Sequence, residues 1–174
     1  MAAAFAVNAQ HKSSTQRSSY KSGSSSKGDD KVEFSGGLRI ALPVGNFHYS
    51  HGFGIGAELQ AEYKISPTAS VTGTTGFTNF IGKSADYYDY GYKYQSVGYI
   101  PVLVGARVYP SKNVFISGKV GYGFLTNAGA TGGFNFEPQV GYNADKFQLA
   151  FGYNGVVNNG TLGHLGLTAL YKFN

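Results

Sequence analysis

Three polar residues have the types that nucleophilic catalysis requires. His48 and Ser50 stand two positions apart, and the carboxyl group of Glu58 follows further along the chain. A serine hydroxyl beside a histidine base that an acid orients can attack an acyl carbon. The segment around His48 and Ser50 is predicted to be a surface loop, whereas Glu58 lies on an alternating, strand-like segment. We therefore expect ordinary polar loop residues here and no enzyme activity.

Spacing and composition argue against other site chemistries. The Gly-Lys-Ser stretch at 82–84 lacks the glycine that a phosphate-binding loop needs five residues earlier, because Phe77 occupies that position. His11, His51 and His164 have no metal-ligand spacing with one another, and the chain has no cysteine. The sequence predicts neither a metal site nor a cofactor.

The charge distribution argues against nucleic-acid binding. The 174 residues are 42% hydrophobic and only 13% charged, with a formal net charge of +5. Residues 1–31 hold five basic and two acidic residues, so most of the surplus lies in this segment and the remainder is close to neutral. Nucleic-acid binding requires a concentrated basic face. No apolar run reaches the length of about 18 residues that a transmembrane helix requires.

The first 31 residues differ from the rest of the chain. Residues 1–7 are apolar, and Val7-Asn8-Ala9 approximates the small-x-small pattern before a signal-peptide cleavage site, so we expect residues 1–9 to be a signal-peptide remnant. Residues 10–31 are mostly Ser, Lys and Gly and predict a disordered leader. The folded domain is expected to span residues 32–174.

From Val32 onward, apolar and polar residues alternate with a period of two, which is typical of β-strands. Eight such segments can be distinguished: Val32–Leu42, Phe53–Ile65, Ala69–Ile81, Tyr99–Val108, Val114–Phe124, Phe134–Tyr142, Phe147–Val157 and Leu165–Phe173. Short turns are predicted at 66–68, 110–113 and 143–146. The other connections, most of them longer, are predicted at 43–52, 82–95, 126–133 and 158–160, the last of which contains the hairpin-turn pair Asn159-Gly160. Short turns at one end and longer loops at the other are typical of an outer-membrane barrel.

The charged residues decide which face points outward. No Lys, Arg, Asp or Glu occupies the apolar positions of the eight segments. A charge there would cost roughly 2–4 kcal/mol at the centre of a bilayer, so the apolar face is expected to meet lipid. The polar face would then fill the lumen with a salt-bridge network of Glu33, Arg39, Glu58, Glu62, Lys64, Arg107, Lys119, Glu137 and Lys172. We predict an all-β protein, an eight-stranded antiparallel up-and-down transmembrane β-barrel with a disordered N-terminal leader.

Aromatic residues fall where two interfacial belts would lie. Near the short turns these are Tyr63, Tyr109, Tyr142, Phe147, Tyr171 and Phe173. Near the long loops Tyr90, Tyr92 and Tyr94 are assigned to the outward positions of the fourth strand. The same region holds the candidate surface-binding residues Tyr87, Tyr88, Tyr90, Tyr92 and Tyr94, because tyrosine-rich loops offer stiff, amphipathic contact area.

Two stretches carry a family resemblance. Tyr99–Tyr109 followed by Val114–Tyr122 resembles the outer membrane protein beta-barrel domain family, and the architecture is similar to the OmpA transmembrane domain and OmpX. The final segment Leu165–Phe173, with Tyr171 and Phe173, resembles the signal that the outer-membrane assembly machinery reads, although Asn174 follows the last aromatic. The resemblance implies an integral protein of the bacterial outer membrane.

The expected role is structural or surface-interacting, without catalysis and with a lumen plugged by side chains. Expected partners are outer-membrane lipid and lipopolysaccharide, the assembly machinery, and a surface protein or glycan at the tyrosine-rich loop. Three alternatives stay open. One is a lipid A-modifying barrel enzyme, because the spacing of His48 and Ser50 resembles that of barrel deacylases. The others are a narrow channel and a soluble barrel that binds an apolar ligand.

Overall fold

A computed structural model describes residues 32–87, 90–126, 131–158 and 160–173, except for the side chains of residues 85–92. The predicted signal-peptide remnant (1–9) and leader (10–31) lie outside the described residues. No helix in the described part of the chain is long and apolar enough to span a membrane.

The described residues form ten strands and one short helix. Their bounds are β1 Val32–Val44, α1 Asn46–Ser50, β2 His51–Ser66, β3 Ala69–Gly82, β4 Ser84–Tyr87, β5 Tyr90–Lys93, β6 Val97–Val108, β7 Val114–Thr126, β8 Gly133–Asn143, β9 Phe147–Val157 and β10 Thr161–Lys172. All strand pairs are antiparallel.

Eight of these strands close into a barrel, in the order β1-β10-β9-β8-β7-β6-β3-β2. The first strand pairs with the last, so Leu38 of β1 lies opposite Ala57 of β2 on one side and Ala169 of β10 on the other. Closure leaves no strand edge with unpaired backbone groups, as a lipid environment requires. The predicted eight-stranded up-and-down barrel is confirmed.

The side chains are distributed inside out relative to a soluble protein. Large apolar side chains on the barrel strands are exposed on the exterior, with Leu38 66% and Val104 62% accessible. Ionisable side chains such as Arg39 and Glu137 are 2% and 1% accessible and lie within. A continuous apolar exterior is what lipid tails can solvate, and it confirms the predicted assignment of the two faces.

The two ends of the barrel differ as predicted. At one end, which we call the tight-turn end, residues 67–68, 109–113 and 144–146 connect the strands. At the opposite loop end, α1 lies between β1 and β2, and the hairpin formed by β4 and β5 lies between β3 and β6. Gly45 adopts φ 60°, a conformation that glycine tolerates best, where the chain turns from β1 into α1.

The assignment of Tyr90, Tyr92 and Tyr94 to the fourth barrel strand is wrong. The pairing of β3 with β6 ends at Phe80 and Val97, and Tyr90 and Tyr92 belong to β5, which pairs only with β4. In the described part of the chain β4 and β5 pair only with each other, so the alternating pattern continues in a separate two-stranded hairpin.

An arginine on the outer face tests the lipid-facing assignment. We expect Val104→Arg, at mid-strand in β6, to lower the free energy of unfolding in lipid vesicles by roughly 2–4 kcal/mol. Val108→Arg, on the same face at the end of the same strand, should cost only about 0–1 kcal/mol because its charge reaches the interface. Urea titration of both variants measures the difference. Equal costs at the two positions would contradict the membrane-spanning orientation.

Candidate functional site

A central cluster of four charged side chains lies inside the barrel, with Arg39 of β1 in its middle. Arg39 Nη1 donates to Glu58 Oε2 of β2 at 2.7 Å, and Nη2 donates to Glu137 Oε1 of β8 at 2.5 Å. Lys119 Nζ of β7 donates to Glu58 Oε1 at 3.3 Å. All four side chains are buried. Two bases and two acids therefore compensate one another where bulk water cannot.

Glycine makes room for the Arg39 guanidinium. A Cβ atom on Gly166 of β10 would lie 2.6 Å from Arg39 Nη2, closer than two such atoms can approach. The bare backbone at this position lets the guanidinium lie against the barrel wall while it bridges Glu58 and Glu137.

A second cluster lies nearer the tight-turn end and is organised by Arg107 of β6. Arg107 Nη1 donates to Glu62 Oε2 at 2.6 Å, and Nη2 donates to Gln60 Oε1 at 3.0 Å. The guanidinium carbon lies 3.9 Å from the centroid of the Phe115 ring, a cation–π distance. Glu62 Oε1 also accepts a hydrogen bond of 2.7 Å from Ser70 Oγ. The only acid in this cluster is thus held by one cation and by neutral donors.

Tyr109 belongs to the second cluster and not to the aromatic belt in which it was predicted. It follows β6 directly, is half-buried, and its hydroxyl donates to Glu62 Oε1. Burial raises the pKa of Tyr109 to about 12, and the hydrogen bond to Glu62 acts in the same direction. The belt prediction was wrong for this residue because a carboxylate inside the barrel offers its hydroxyl a partner.

One further ion pair lies inside the barrel near the tight-turn end. Lys172 Nζ of β10 lies 3.2 Å from Glu33 Oε1 of β1. With it, the structure places eight of the nine predicted interior charges inside the barrel: Glu33, Arg39, Glu58, Glu62, Arg107, Lys119, Glu137 and Lys172.

Lys64 is the exception, and its predicted burial was wrong. Its side chain is exposed, although it stands on the same parity of β2 as Glu62. Among the described residues Lys64 lies at the end of the barrel, close to the turn from β2 to β3, where it pairs with Ser70. Without Lys64, the interior of the described barrel holds four bases and four acids and is formally neutral.

The loop end of the interior is filled by an aromatic cluster that the alternation did not predict. Phe47 of α1 is buried with its ring centroid 4.9 Å from that of Phe80 and 4.6 Å from that of His51. Phe80 in turn lies 5.0 Å from the ring of His164. Ala41, Tyr99 and Val156 complete this cluster. In the sequence, this cluster is indicated only by Phe80 and Tyr99, which are aromatic residues at inward positions of their strands.

An uncharged polar triangle connects the aromatic cluster to Arg39 and its partners. Asn154 Nδ2 donates to the Tyr99 hydroxyl at 3.0 Å and to Asn135 Oδ1 at 3.1 Å, and Asn135 also donates to the Tyr99 hydroxyl. Asn154 Nδ2 lies 3.3 Å from Glu137 Oε2 of the central cluster. Hydrogen bonds thus run from the central charges to the base of the aromatic cluster, which rigidifies the interior.

The structure does not bring His48, Ser50 and Glu58 together. Ser50 Oγ lies 2.8 Å from Nδ1 of His51, not of His48, and His48 Nε2 instead lies 3.3 Å from Lys83 Nζ. Glu58 is inside the lumen with Arg39 and Lys119. The second ring nitrogen of His51 faces the backbone carbonyl of Gln95 at 3.2 Å, so no carboxylate of the described residues orients the serine–histidine pair.

The remaining site predictions concern metals and surface aromatics. Among the residues that the structure describes, no group of three His, Asp or Glu side chains could hold a metal ion. Tyr88 and the side chains of Tyr87, Tyr90 and Tyr92 lie outside the described part, and Tyr94 is exposed. Tyr171 and Phe173 point outward at the tight-turn end, 55% and 61% accessible.

Comparison with known proteins finds relatives in structure but not in sequence. No family model and no curated protein matches the chain. Ail, the attachment invasion locus protein of Yersinia pestis, in complex with the heparin analogue sucrose octasulfate, is 15% identical with a TM-score of 0.54, over 82% of this chain and 97% of that one.

Two further solved structures are similar to this chain in fold. Ail in a phospholipid bilayer nanodisc is 17% identical with a TM-score of 0.56, over 81% of this chain and 99% of Ail. A de novo designed transmembrane β-barrel is 15% identical with a TM-score of 0.51, over 80% of this chain and 94% of the design. The chain has the fold of a small outer-membrane β-barrel.

Removing the central cation tests whether the interior network stabilises the barrel. We expect Arg39→Met to lower the free energy of unfolding in detergent micelles by about 3–5 kcal/mol, because Glu137 loses its direct cation while it stays buried. The matched control Lys64→Met, on the same inward parity but exposed, should stay within about 0.5 kcal/mol. Urea unfolding followed by tyrosine fluorescence measures both. Similar losses in the two variants would show that the network contributes no specific stability.

Proposed function

We propose that this chain is an integral β-barrel protein of the bacterial outer membrane with a structural or surface-interaction role, without catalysis and without an open pore. The observation that carries the proposal is the pairing of an apolar exterior with a neutral, ion-paired interior. A soluble carrier of an apolar ligand would need the reverse, an apolar cavity inside a polar exterior.

Several features support the location. In the closed barrel each of the eight barrel strands pairs with two neighbours, so none of them has an unpaired edge. In outer-membrane barrels short turns face the periplasm and longer loops face the exterior. The likeness to Ail, whose structure was determined in a phospholipid bilayer nanodisc, supports a membrane location. Lipid and lipopolysaccharide would surround the apolar face. The last strand, with Tyr171 and Phe173 exposed, would be the element that the assembly machinery contacts.

We propose a closed lumen because ion-paired and aromatic side chains fill the interior of the barrel. The ion pairs of Arg39 and Arg107 cross the central and tight-turn parts, and the cluster around Phe47 and Phe80 fills the loop end. An eight-stranded barrel has room for side chains but little more. Continuous conduction would require several of these buried groups to move together, so a plug with a structural role is the simpler function.

The proposed surface interaction involves the hairpin of β4 and β5, which extends beyond the barrel rim. Ail provides a precedent, since its name refers to attachment and its structure holds a heparin analogue. This chain differs in charge, because residues 83–96 hold two lysines and two aspartates. A sulfated polysaccharide would find no basic surplus there. The tyrosines favour a protein or an uncharged glycan, which aromatic faces bind well.

Gel mobility tests the membrane-barrel proposal. We expect the detergent-extracted outer-membrane fraction to give bands of different mobility with and without boiling, because the closed barrel unfolds in SDS only on heating. A chain that stays in the aqueous fraction and migrates identically in both lanes would contradict the proposal. Planar-bilayer recordings of the same preparation should show no conductance steps, and regular steps would contradict the closed lumen.

Replacing the hairpin tests the surface role. The full chain in nanodiscs is applied to arrays of extracellular-matrix proteins and glycans, beside a variant in which residues 84–93 are exchanged for a Gly-Ser linker. We expect the variant to lose at least tenfold in binding while its heat-dependent mobility is retained. Tyr49→Ser, which removes an exposed tyrosine of α1 at the same end, is the control and should bind as the wild type does. A wild-type chain that binds nothing would leave only the structural role.

A further inference from the structure

A groove lies on the outside of the barrel at the loop end, between α1 and the adjoining ends of β1 and β10. It has a volume of about 610 Å³, and its lining includes Leu42, Val44, His48 and Leu165. Phe47 of the same helix is buried against the aromatic rings inside the barrel. The helix α1 therefore fills the lumen with one side chain and forms one side of an external groove with others.

The floor of the groove belongs to the face of the barrel that meets lipid. Leu42 is 54% accessible and stands in one outward row of β1 with Leu38 and Ile40. Leu165 of β10 is paired directly with Leu42, so its side chain lies on the same face. The groove is thus continuous with the apolar outer wall of the barrel.

A tyrosine on the neighbouring strand shows the depth of the groove in the membrane. Tyr153 of β9 is paired with Leu165 on the outward face. A Cβ atom on Gly163, two residues nearer the loop end, would lie 2.5 Å from the Tyr153 hydroxyl, so the ring points toward that end. Interfacial tyrosines place the ring among the acyl tails and the hydroxyl at the headgroups. The floor at Leu165 therefore lies at the depth of the tails, and α1 lies at the depth of the headgroups.

Lys83 supplies a positive charge on the headgroup side of the groove. Its Nζ donates to the backbone oxygen of His48 at 2.7 Å and lies 3.3 Å from His48 Nε2. Its backbone N–H donates to the Ser50 oxygen at 2.9 Å, which fixes the residue beside α1. No carboxylate among the described side chains pairs with Lys83. An ammonium group has three donors, so at least one is left for a phosphate oxygen.

The two sides of the groove together define the chemistry of an occupant. An apolar floor at the depth of the tails fits an acyl chain, and a cation at the depth of the headgroups fits a phosphate. Asn46, which lines the α1 side, adds an amide that can donate to and accept from sugar hydroxyls. A lipid with acyl chains, phosphate and sugar matches all three features. A polymer from the aqueous phase would leave the apolar floor uncovered.

We infer that this groove binds lipid A, the phosphorylated glycolipid part of lipopolysaccharide, with one acyl chain over Leu42 and Leu165 and a phosphate at Lys83. The inference rests on the proposed function and deepens it, because the proposed orientation places the loop end in the outer leaflet. A second copy of the chain, docked through its outer wall, would bring no acid to Lys83, because the outward positions of the barrel strands hold none.

Native mass spectrometry of the full chain tests the inference. The protein is released from micelles that contain equal amounts of bisphosphorylated lipid A, phosphatidylglycerol and phosphatidylethanolamine, and the lipids that stay bound are identified. We expect wild type to retain at least three times more lipid A than either phospholipid. L165W, whose indole ring fills the groove, and K83Q should each lose most of this preference.

Each variant has a matched control. L167W places the same ring in the same outward row of β10, two residues further from the loop end, and K112Q removes the same charge at the tight-turn end. Both controls should keep the preference for lipid A. All variants are also run boiled and unboiled, and a retained mobility difference shows that the barrel is folded.

Several results would overturn the inference. Unchanged preference in L165W and K83Q, or equal losses in L165W and L167W, would exclude the groove. Equal losses in K83Q and K112Q would indicate a general effect of charge. Phosphatidylglycerol retained as well as lipid A would assign the site to anionic phospholipids, and a wild-type dimer that L165W abolishes would assign it to a second copy. Loss of the mobility difference in wild type would contradict the proposed membrane barrel, whereas its retention confines a negative lipid result to this inference.

Discussion

The interior ion pairs around Arg39 are the interaction on which the rest of the structure depends. A barrel wall that faces lipid cannot turn its charges outward, so each ionisable group must find its partner inside. Arg39 does so for two acids at once, at 2.7 Å from Glu58 and 2.5 Å from Glu137. The balance of four bases and four acids follows from the same constraint, because a surplus charge would stay buried and uncompensated.

The constraint also explains how the space inside is used. Large charged side chains from facing strands can meet only where other positions are small, which is why Gly166 leaves room for the Arg39 guanidinium. At the loop end the described residues place no charged pair in the interior, and the space is filled by aromatic rings from β3, β6 and the helix α1. Phe47 belongs to the helix α1 and not to a barrel strand, and its ring packs inside the barrel. The helix therefore contributes to the interior packing as well as to the loop end.

A filled and neutral interior shifts the functional chemistry to the two ends. The ends are chemically unlike, since the loop segment 83–96 holds two lysines, two aspartates and several tyrosines. The tight-turn end holds Lys64, Lys112 and Lys146 against a single acid, Asp145. This asymmetry is suited to a protein that meets different surroundings on its two sides. The barrel thus positions the hairpin of β4 and β5 at one end and the lysines Lys64, Lys112 and Lys146 at the other.

The alternation of side chains by itself determined the barrel, its eight strands and the face that meets lipid, because a period of two in strands this long has few other solutions. It also gave eight of the nine interior charges, since parity fixes which way a side chain points. Parity could not show that Lys64 is exposed at the end of β2, or that Tyr109 turns inward to Glu62. Nor could it pair Arg39 with Glu137, 98 residues away, or bring Phe47 to Phe80. Those contacts depend on the closure of β1 against β10 and on the stagger between strands, which only the tertiary structure decides.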